Sequence, residues 1–406
     1  MHRVCITGYG VASPLGNEFE SFDAGLFGGR PALEVYAFEL PGNDPFRVPV
    51  ARCRFDEAAL RTPSRLPPDR GTALALLCAE SAAAAAGWSA DACDPLRLGL
   101  YWGSGMGGAA TFDATSRGVY QDARRIRPTA VVTTMPNAPL AELALRFGAR
   151  GAAIGYACAC ASAAVAIGEA MRAIREGRLD AALVGGSDAL LSPGVVAAWQ
   201  AMRVLAPAGV DPTHACRPFA ADRAGFALGE GAAAFILESE AHAARRGARR
   251  NLVLSGFATN CDGLHITQPD AAGQARAMHA ALADAGLEAA AIGHVNAHGT
   301  ATTAGDAAEG ESLRRVFGEG GPPVTATKAV IGHLLGAGGA VELVATLRAL
   351  ERELAPPTGH ASALDPSLKI DLVQGEARPL PGLRHAMSNS FAFGGTNAVL
   401  IASRAA

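Results

Sequence analysis

The stretch GYACACASAAVAIGEAMRAIREGRLDAALVGGSDA, residues 155–189, decides the fold class. From Ala161 to Ala173 it is small or apolar nearly all round, the pattern of a helix buried on every side. Arg172 and Arg175 fall in the last turn, where cations suit the helix dipole, and Gly177 can cap the end. A strand-like run follows at once. A buried helix leading into a buried strand predicts an α/β protein.

The same alternation runs along the whole chain. Predicted strands are Val4–Thr7, Leu98–Trp102, Ala181–Val184, Ala233–Leu237, Leu252–Phe257, His294–Ala297 and Val399–Ile401. Predicted helices are Leu74–Ala86, Ser162–Glu176, Gln274–Ala285 and Ala340–Arg352. The segment 332–353, GHLLGAGGAVELVATLRALERE, repeats the small-residue start and the basic end of the first helix. We therefore predict a duplication with fused halves, residues 1–250 and 251–406.

Composition limits the function classes. The 406 residues are 50% hydrophobic and 18% charged, with a net charge of -3, which excludes disorder and argues against nucleic-acid binding. So few charges indicate surface hidden in a deep interior or a subunit interface. The most apolar window, residues 74–88, is interrupted by Glu80 and too short to span a membrane, and the N-terminus lacks a signal-peptide pattern. We expect a soluble cytoplasmic protein whose eight cysteines, which form no CxxC, are mostly reduced and buried.

A glycine motif after one strand suggests a dinucleotide site. Gly103, Gly105 and Gly108 fit GxGxxG, but the residues that follow, 109–122, are polar and read as poorly helical. The motif requires a helix there and an acidic residue after the next strand. We therefore predict a tight turn with close backbone packing and no dinucleotide.

Two cysteines compete as a reactive group. Cys160 lies where a strand-like segment turns into the buried helix, and the positive end of the helix dipole favours a thiolate with a lowered pKa. Cys158 precedes the helix and lacks that advantage. From these residues alone, a structural role for either remains open.

Polar groups gather at two histidines and near the C-terminus. His298 ends a strand and is followed by a turn that contains Thr300, Thr302, Thr303, Asp306 and Glu309, where α/β proteins place their sites. His333 follows Lys328, which we expect to pair with Glu342 if it is buried, although an exposed loop charge is equally open. The segment SNSFAFGGTN, 388–397, combines Phe391 and Phe393 with two glycines that let a ligand approach the backbone.

These segments in their order resemble the β-ketoacyl-acyl-carrier-protein synthases of the elongating type. The matching segments are ACASAAVAIG, VNAHGTATTAGD, TKAVIGHLLGAGGAVE and NSFAFGGTN, with CITGYGVASPLG, RPFAADRAGFALGEGA and GFATNCDGLHITQP in their family places. The resemblance implies the thiolase-type fold, with two pseudo-duplicated αβα halves that form five layers, and an obligate homodimer. It also implies decarboxylative condensation of an acyl group with malonyl-acyl carrier protein, without a metal or redox cofactor.

The resemblance assigns roles residue by residue. Cys160 would be the nucleophile, His298 and His333 the catalytic pair, and Lys328 their support. Phe393 would gate the acyl pocket, and its backbone amide would form an oxyanion hole with that of Cys160. The implied substrate contacts are Thr300, Thr302, Phe391, Gly394, His265 and Thr267, and the implied supporting residues are Glu342, Asp306 and Glu309. The implied docking residues for an acidic carrier protein are Arg124, Arg125 and Arg203, although solvated surface arginines are the alternative.

Departures from the family pattern leave the pathway open. Cys158 stands where Thr is usual, Thr303 where Pro is usual, and Ala392 where Gly is usual between the two Phe; Ala163 replaces a common Gly, and Ala224 the Asp of RDGF. These changes put ordinary fatty-acid substrates in doubt, and a secondary-metabolism condensing enzyme, such as one for polyketide or polyene chains, is a close variant. One alternative is a non-catalytic chain-length-factor-like subunit of a heterodimer, which would have lost the nucleophile. The other is a thiolase or acyltransferase on the same fold, and the two His motifs argue against a degradative thiolase.

Overall fold

The computed structural model describes residues 2–40, 44–57, 59–209 and 211–405. The strands within these ranges are β1 (Val4–Ala12), β2 (Glu34–Phe38), β3 (Phe46–Ala51), β4 (Leu98–Gly103), β5 (Ala153–Tyr156), β6 (Ala181–Asp188), β7 (Leu228–Gly229), β8 (Gly231–Ser239), β9 (Leu252–Cys261), β10 (His294–Asn296), β11 (Gly320–Thr325), β12 (Leu354–Ala355), β13 (Ile370–Leu372), β14 (Arg378–Pro379), β15 (His385–Phe391) and β16 (Thr396–Arg404).

The helices share the same ranges of the chain. They are α1 (Phe19–Phe27), α2 (Arg70–Ala85), α3 (Ala109–Asp122), α4 (Ala130–Thr134), α5 (Ala138–Phe147), α6 (Ser162–Arg175), α7 (Pro193–Ala201), α8 (Glu240–Arg245), α9 (Ala271–Ala285), α10 (Thr303–Phe317), α11 (Lys328–Ile331) and α12 (Gly338–Arg352). Every strand and helix predicted from the sequence is present, with shifts at the ends.

Strand order shows the duplication. One set of strands runs β5-β4-β6-β8-β1 and the other β11-β10-β15-β16-β9, with β13 added beyond β11. When the five strands of each set are numbered 1 to 5 in chain order, both sets have the spatial order 3-2-4-5-1. In both, the pairs 3-2 and 2-4 are parallel, and the pairs 4-5 and 5-1 are antiparallel. The sets join where β1 pairs with β9. The fold is the α/β architecture of two pseudo-duplicated halves that the sequence indicated, although the division at residue 250 stays a prediction.

The helices complete the five layers. Helices α2 and α5 cover the outer face of the first set, and α9 and α10 that of the second, while α6 and α12 lie between the two sets and contact each other. Gly339 permits the close contact of the two helices, because a Cβ there would lie 3.0 Å from Ala164 of α6. Gly168 permits the packing of α6 on β9, because a Cβ there would lie 2.2 Å from the Phe257 ring. The first residues of α6 and α12 thus meet at the centre of the molecule.

The segment after the glycine motif corrects the sequence reading. Residues 109–122 form helix α3, although they were expected to be poorly helical. None of its side chains is fully buried, so no buried face imposes the apolar periodicity by which a helix is recognised in a sequence. The predicted close packing is present, since a Cβ on Gly103 would lie 2.3 Å from the Ala163 nitrogen.

One sheet edge is exposed. Strand β5 is the last strand of its set, and residues 153–155 are exposed, among them the apolar Ile154. The chain before this strand carries further exposed apolar side chains, those of Phe112, Tyr120, Ile126, Val131, Val132 and Met135. An open edge strand and exposed apolar side chains are both typical of a surface that another chain covers.

Cysteine usage agrees with the sequence reading. All eight cysteines are free, and six of them are buried, while Cys158 is half-buried and Cys261 is exposed.

In the described part of the chain, no helix combines the length and the apolar character needed to cross a bilayer.

Candidate active site

The two halves bring Cys160, His298 and His333 together. Cys160 lies in a short 3₁₀ turn before α6, His298 follows β10, and His333 lies between α11 and α12. The Cys160 Sγ atom is 3.1 Å from His333 Nε2, and the two imidazole centroids are 5.6 Å apart. Ala159, directly before Cys160, has a left-handed φ of 48°, a sharp turn that presents the thiol at the start of the helix.

Hydrogen bonds fix the tautomers of both histidines. The backbone N–H of Leu335 donates to His333 Nδ1 at 3.3 Å, and Lys328 Nζ donates to His298 Nδ1 at 3.2 Å. Burial, and then the charge of Lys328, lowers the pKa of each imidazole well below its ordinary value, so both rings are neutral at neutral pH. A neutral ring that accepts at Nδ1 carries its proton on Nε2. Both rings therefore present Nε2–H donors.

Lys328 is buried and paired, as one of the two sequence readings expected. Its ammonium group donates to the His298 carbonyl at 2.6 Å and to the Glu342 carboxylate. Burial raises the pKa of Glu342, and the charge of Lys328 opposes that rise. Because Lys328 has no ion pair with another acid in the described ranges, loss of Glu342 would leave a buried cation uncompensated.

Asp306 and Glu309 hold the loop that carries His298. Glu309 accepts hydrogen bonds from the amides of His298 at 2.8 Å and Gly299 at 2.7 Å. Asp306 accepts from the amides of Phe219 at 2.6 Å and Ala301 at 3.1 Å. Both acids lie on α10, so this helix sets the position of the loop.

A cavity of about 320 Å³ opens onto the three groups. Its apolar lining includes Trp199, Met202, Val204, Phe226, Ile266, Phe391, Ala392 and Phe393. Its polar lining includes Asp262, Thr267, Gln268, Gln274, Thr300, Thr302 and Asn397. The cavity therefore offers a nucleophile, two hydrogen-bond donors and contacts for both apolar and polar parts of a ligand.

Comparison with known proteins identifies the family. The model of the β-ketoacyl synthase N-terminal domain matches residues 1–243, and that of the C-terminal domain matches residues 252–362. The chain belongs to the β-ketoacyl synthase family. It is 37% identical to nodulation protein E of Rhizobium sp. (strain N33) over 98% of both chains. It is 35% identical to 3-oxoacyl-[acyl-carrier-protein] synthase 2 of Vibrio cholerae over 99% of both chains.

Solved structures agree with this assignment. A β-ketoacyl synthase from Burkholderia phymatum STM815 superposes with a TM-score of 0.91 at 34% identity, with full coverage of both chains. A chain of the AntDE:AntF complex, a type II polyketide synthase acyl-carrier protein in complex with its ketosynthase, superposes with a TM-score of 0.90 at 26% identity, also with full coverage. Together with the Cys-His-His group, these matches make the chain an acyltransferase of the elongating ketosynthase type.

Two residues expected to contact substrate do not line the cavity of this ketosynthase. His265 is exposed, and its Nδ1 accepts hydrogen bonds from the amides of Thr267 and Gln268, both at 3.1 Å. The amide of Gly394 donates to the Ile266 carbonyl at 2.8 Å, and Gly395 lines the cavity in its place. Thr267, Thr300, Thr302, Phe391 and Phe393 do line it.

Burial corrects the expectation for the nucleophile. The helix dipole led us to expect a lowered thiol pKa, yet burial raises the pKa of Cys160 to about 12, against the opposing charge of Lys328. Cys158, the rival, is half-buried, packs against the core and does not line the cavity.

Arg124, Arg125 and Arg203, the arginines predicted to dock a carrier protein, are exposed, and no contact among the described residues links them to one another. Arg203 lies between Met202 and Val204, both of which line the cavity, so it stands at the edge of that cavity. Arg124 pairs with Asp122 at 3.1 Å within its own turn. No contact of the described residues brings Arg124 or Arg125 to the cavity.

Sequence reasoning missed several cavity residues. Trp199 stacks on Phe393 with ring centroids 6.2 Å apart. Gln274 is 1% exposed, and its Oε1 has no hydrogen-bond partner within the described part of the chain. Each comes from an element remote in sequence and lies in no recognisable motif, so nothing in the sequence could have singled them out.

The three reactive groups also have the chemistry of metal ligands. One ligand atom from each of Cys160, His298 and His333 lies within 4.8 Å of the others. However, Lys328 Nζ donates to His298 Nδ1, and its charge disfavours a second cation beside it. The donor set therefore fits hydrogen-bond catalysis better than metal binding.

Proposed function

We propose that this ketosynthase holds an acyl group on Cys160 and condenses it with malonyl-acyl carrier protein to give β-ketoacyl-acyl carrier protein. The observation that carries the proposal is the convergence of the Cys160 thiol, at 3.1 Å from His333 Nε2, and two Nε2–H donors on one cavity. A non-catalytic partner subunit would not need this set, and the nucleophile it would have lost is present.

In the first step, Cys160 accepts the acyl group. Its sulfur attacks the carbonyl carbon of the acyl thioester, a new C–S bond forms, and the carrier thiolate leaves with the proton of the Cys160 thiol. The amides of Cys160 and Phe393 stabilise the tetrahedral oxyanion, each donor contributing about 3 kcal/mol. The Phe393 amide donates no hydrogen bond to another described residue, which leaves it available for this role.

In the second step, the malonyl group loses carbon dioxide. The electron pair of the broken C–C bond enters an enolate, whose oxygen accepts hydrogen bonds from the Nε2–H groups of His298 and His333. The carbanion carbon then attacks the acyl carbonyl, a C–C bond forms, the C–S bond to Cys160 breaks, and the Cys160 thiolate takes a proton from solvent. Lys328 keeps the His298 proton on Nε2 by donating to Nδ1.

The cavity lining suits the two parts of such a substrate. The apolar residues Trp199 and Phe226 suit the acyl chain, and the hydroxyls of Thr300 and Thr302 suit the polar, carrier-protein side of the thioester. The chain serves fatty-acid or polyketide elongation; Ala392, in place of the usual Gly, stiffens the backbone beside Phe393 and puts ordinary fatty-acid substrates in doubt.

The partners follow from charge and exposure. We propose that acidic carrier proteins dock on Arg203 at the cavity edge, with Arg124 and Arg125 as further basic contacts. The exposed edge strand β5 supports a dimer, a homodimer in the first instance, with a heterodimer as the alternative.

A condensation assay tests this function. Purified protein is supplied with acyl- and malonyl-carrier protein, and the β-ketoacyl product is measured by mass spectrometry. We expect Cys160→Ala to abolish product, and His298→Ala or His333→Ala to slow decarboxylation by about 10²–10³-fold while acyl transfer to Cys160 persists. Product from the Cys160→Ala variant would refute the assignment.

A further inference from the structure

Asp188 is a buried carboxylate beside the site that the proposed reaction does not use. It ends strand β6, is 1% exposed and forms no ion pair within the described part of the chain. Its Oδ1 accepts a hydrogen bond from Ser104 Oγ at 2.7 Å, and its Oδ2 accepts from the amides of Gly105 at 2.9 Å and Gly336 at 2.6 Å. A buried charge needs such donors, and here they come from both halves of the molecule.

The Gly336 contact leads directly to the catalytic ring. Gly336 follows Leu335, whose amide donates to His333 Nδ1 at 3.3 Å, and Leu335 itself has a left-handed φ of 50°. His333 Nε2 is then 3.1 Å from Cys160 Sγ. The chain of contacts runs from the Asp188 carboxylate through the Leu335–Gly336 turn to the imidazole and the thiol.

The Leu335–Gly336 turn packs so tightly on Asp188 that residue 336 has no room for a side chain. A Cβ on Gly336 would lie 2.1 Å from the Gly105 nitrogen and 2.6 Å from Asp188 Oδ2. Burial raises the pKa of Asp188 to about 6, so at neutral pH the group is a carboxylate that only accepts hydrogen bonds. Its Oδ2 atom therefore holds together two backbone amides from different halves of the molecule, those of Gly105 and Gly336.

We propose that Asp188 is a positioning residue for His333. By binding the Leu335–Gly336 turn, Asp188 holds the Leu335 amide against His333 Nδ1 and so keeps the ring proton on Nε2. This inference rests on the proposed function, since only the decarboxylating step requires His333 as a donor to the enolate. Without the Asp188 contact, the turn relaxes, Nδ1 loses its donor, and the ring takes the other tautomer in part of the molecules. Acyl loading of Cys160, which uses backbone amides, is less affected.

The substitutions Asp188→Ala and Asp188→Asn test this role. The first removes both acceptor oxygens. The second keeps one carbonyl oxygen that can accept from both amides, while its NH₂ group donates to Ser104 Oγ, so it is the conservative rescue. Asp23→Ala is the matched control, because Asp23 is another buried carboxylate, paired with Arg348 on α12 and outside the cavity.

Two readouts separate positioning from stability. In ¹⁵N-histidine-labelled resting protein, NMR should show Nε2 of His333 protonated in the native chain and in Asp188→Asn, and a tautomer mixture in Asp188→Ala. In kinetics, Asp188→Ala should lose about 10–100-fold in the rate of malonyl decarboxylation, with acyl loading within threefold of the native rate. Asp23→Ala should lower stability without either change.

Several results would overturn the proposal. A proton on Nδ1 of His333 in the native protein would overturn it even if no variant folds. Asp188→Ala would also overturn it by showing the native tautomer, or by losing acyl loading and decarboxylation to the same extent. The tautomer is read without substrate, so a native protein that shows the expected tautomer yet accepts no acyl group would refute the proposed function and leave the positioning role standing.

Discussion

At the scale of single residues, the protonation of Cys160 is governed by two opposing influences. The start of α6 and the charge of Lys328 favour the thiolate, and burial favours the thiol. Burial prevails and raises the pKa to about 12. The resting nucleophile is therefore a thiol that hydrogen bonds to His333, and it becomes charged only as it reacts.

This balance predicts the pH dependence of the thiol. The rate at which iodoacetamide alkylates Cys160 should rise about tenfold per pH unit from pH 6 to 9, because the thiolate fraction grows throughout that range. The adduct is followed by intact mass, with Cys160→Ala as the blank for the other cysteines, including exposed Cys261. A plateau near pH 7 would mean that the helix dipole outweighs burial.

Sequence motifs located the reactive residues but not their surroundings. Cys160, His298, His333 and Lys328 all lie in recognisable segments, and the structure brings them to one cavity. The raised thiol pKa depends on atoms from both halves that no local pattern encodes. The same holds for Gln274, whose unpartnered carbonyl oxygen faces the site from α9.

At the scale of elements, the two central helices carry the site because their first turns consist largely of small residues and contact each other, with Gly339 of α12 against Ala164 of α6. Gly168 in α6 lies under the Phe257 ring, and Arg172, one turn on, stacks over the same ring with its guanidinium 4.6 Å from the ring centroid. The ring fills the space that a side chain at residue 168 would need. Close contact of α6 with β9 therefore depends on this glycine.

A pair of glycine substitutions tests that dependence. Gly168→Ala should lower the free energy of unfolding by about 1–3 kcal/mol, because overpacking against Phe257 outweighs the gain in helix propensity. Gly118→Ala is the control: a Cβ there meets nothing closer than Arg124 at 3.5 Å, so this variant should be stabilised by about 0.5–1 kcal/mol. Denaturant titration gives both values, and equal stabilisation of the two variants would show that α6 is loosely packed.

The contrast between α6 and α3 shows which elements sequence can predict. Helix α6 was evident because small and apolar residues fill every face of it. Helix α3 was missed because none of the side chains of residues 109–122 is fully buried, so no buried face imposes an apolar periodicity. A helix on the protein surface depends on contacts with residues distant in sequence, and a local sequence pattern does not reveal those contacts.

At the scale of the whole molecule, duplication explains why the site lies where it does. Cys160 precedes α6 and His333 precedes α12, the equivalent central helices of the two halves, so the repeat itself places nucleophile and donor face to face. The low charge fraction of the sequence indicated hidden surface. The five layers account for the interior part of it, and the edge strand β5 is a surface that a second chain would hide.

That exposed surface predicts self-association. The native chain should elute at twice the mass of one chain in light scattering, and Ile154→Lys on β5 should convert it to monomer, because a charge at the edge strand opposes pairing. Val35→Lys is the matched control, since Val35 is 38% and Ile154 40% exposed. A native monomer, or a dimer that survives Ile154→Lys, would contradict a homodimer through this edge.

The most direct test of the whole account is the intact mass of the protein after incubation with acyl-carrier proteins of graded chain length and polarity. The account predicts one acyl adduct that disappears in Cys160→Ala and is discharged by malonyl-carrier protein into a product two carbons longer. No adduct with any donor, or an adduct that persists in Cys160→Ala, would contradict it.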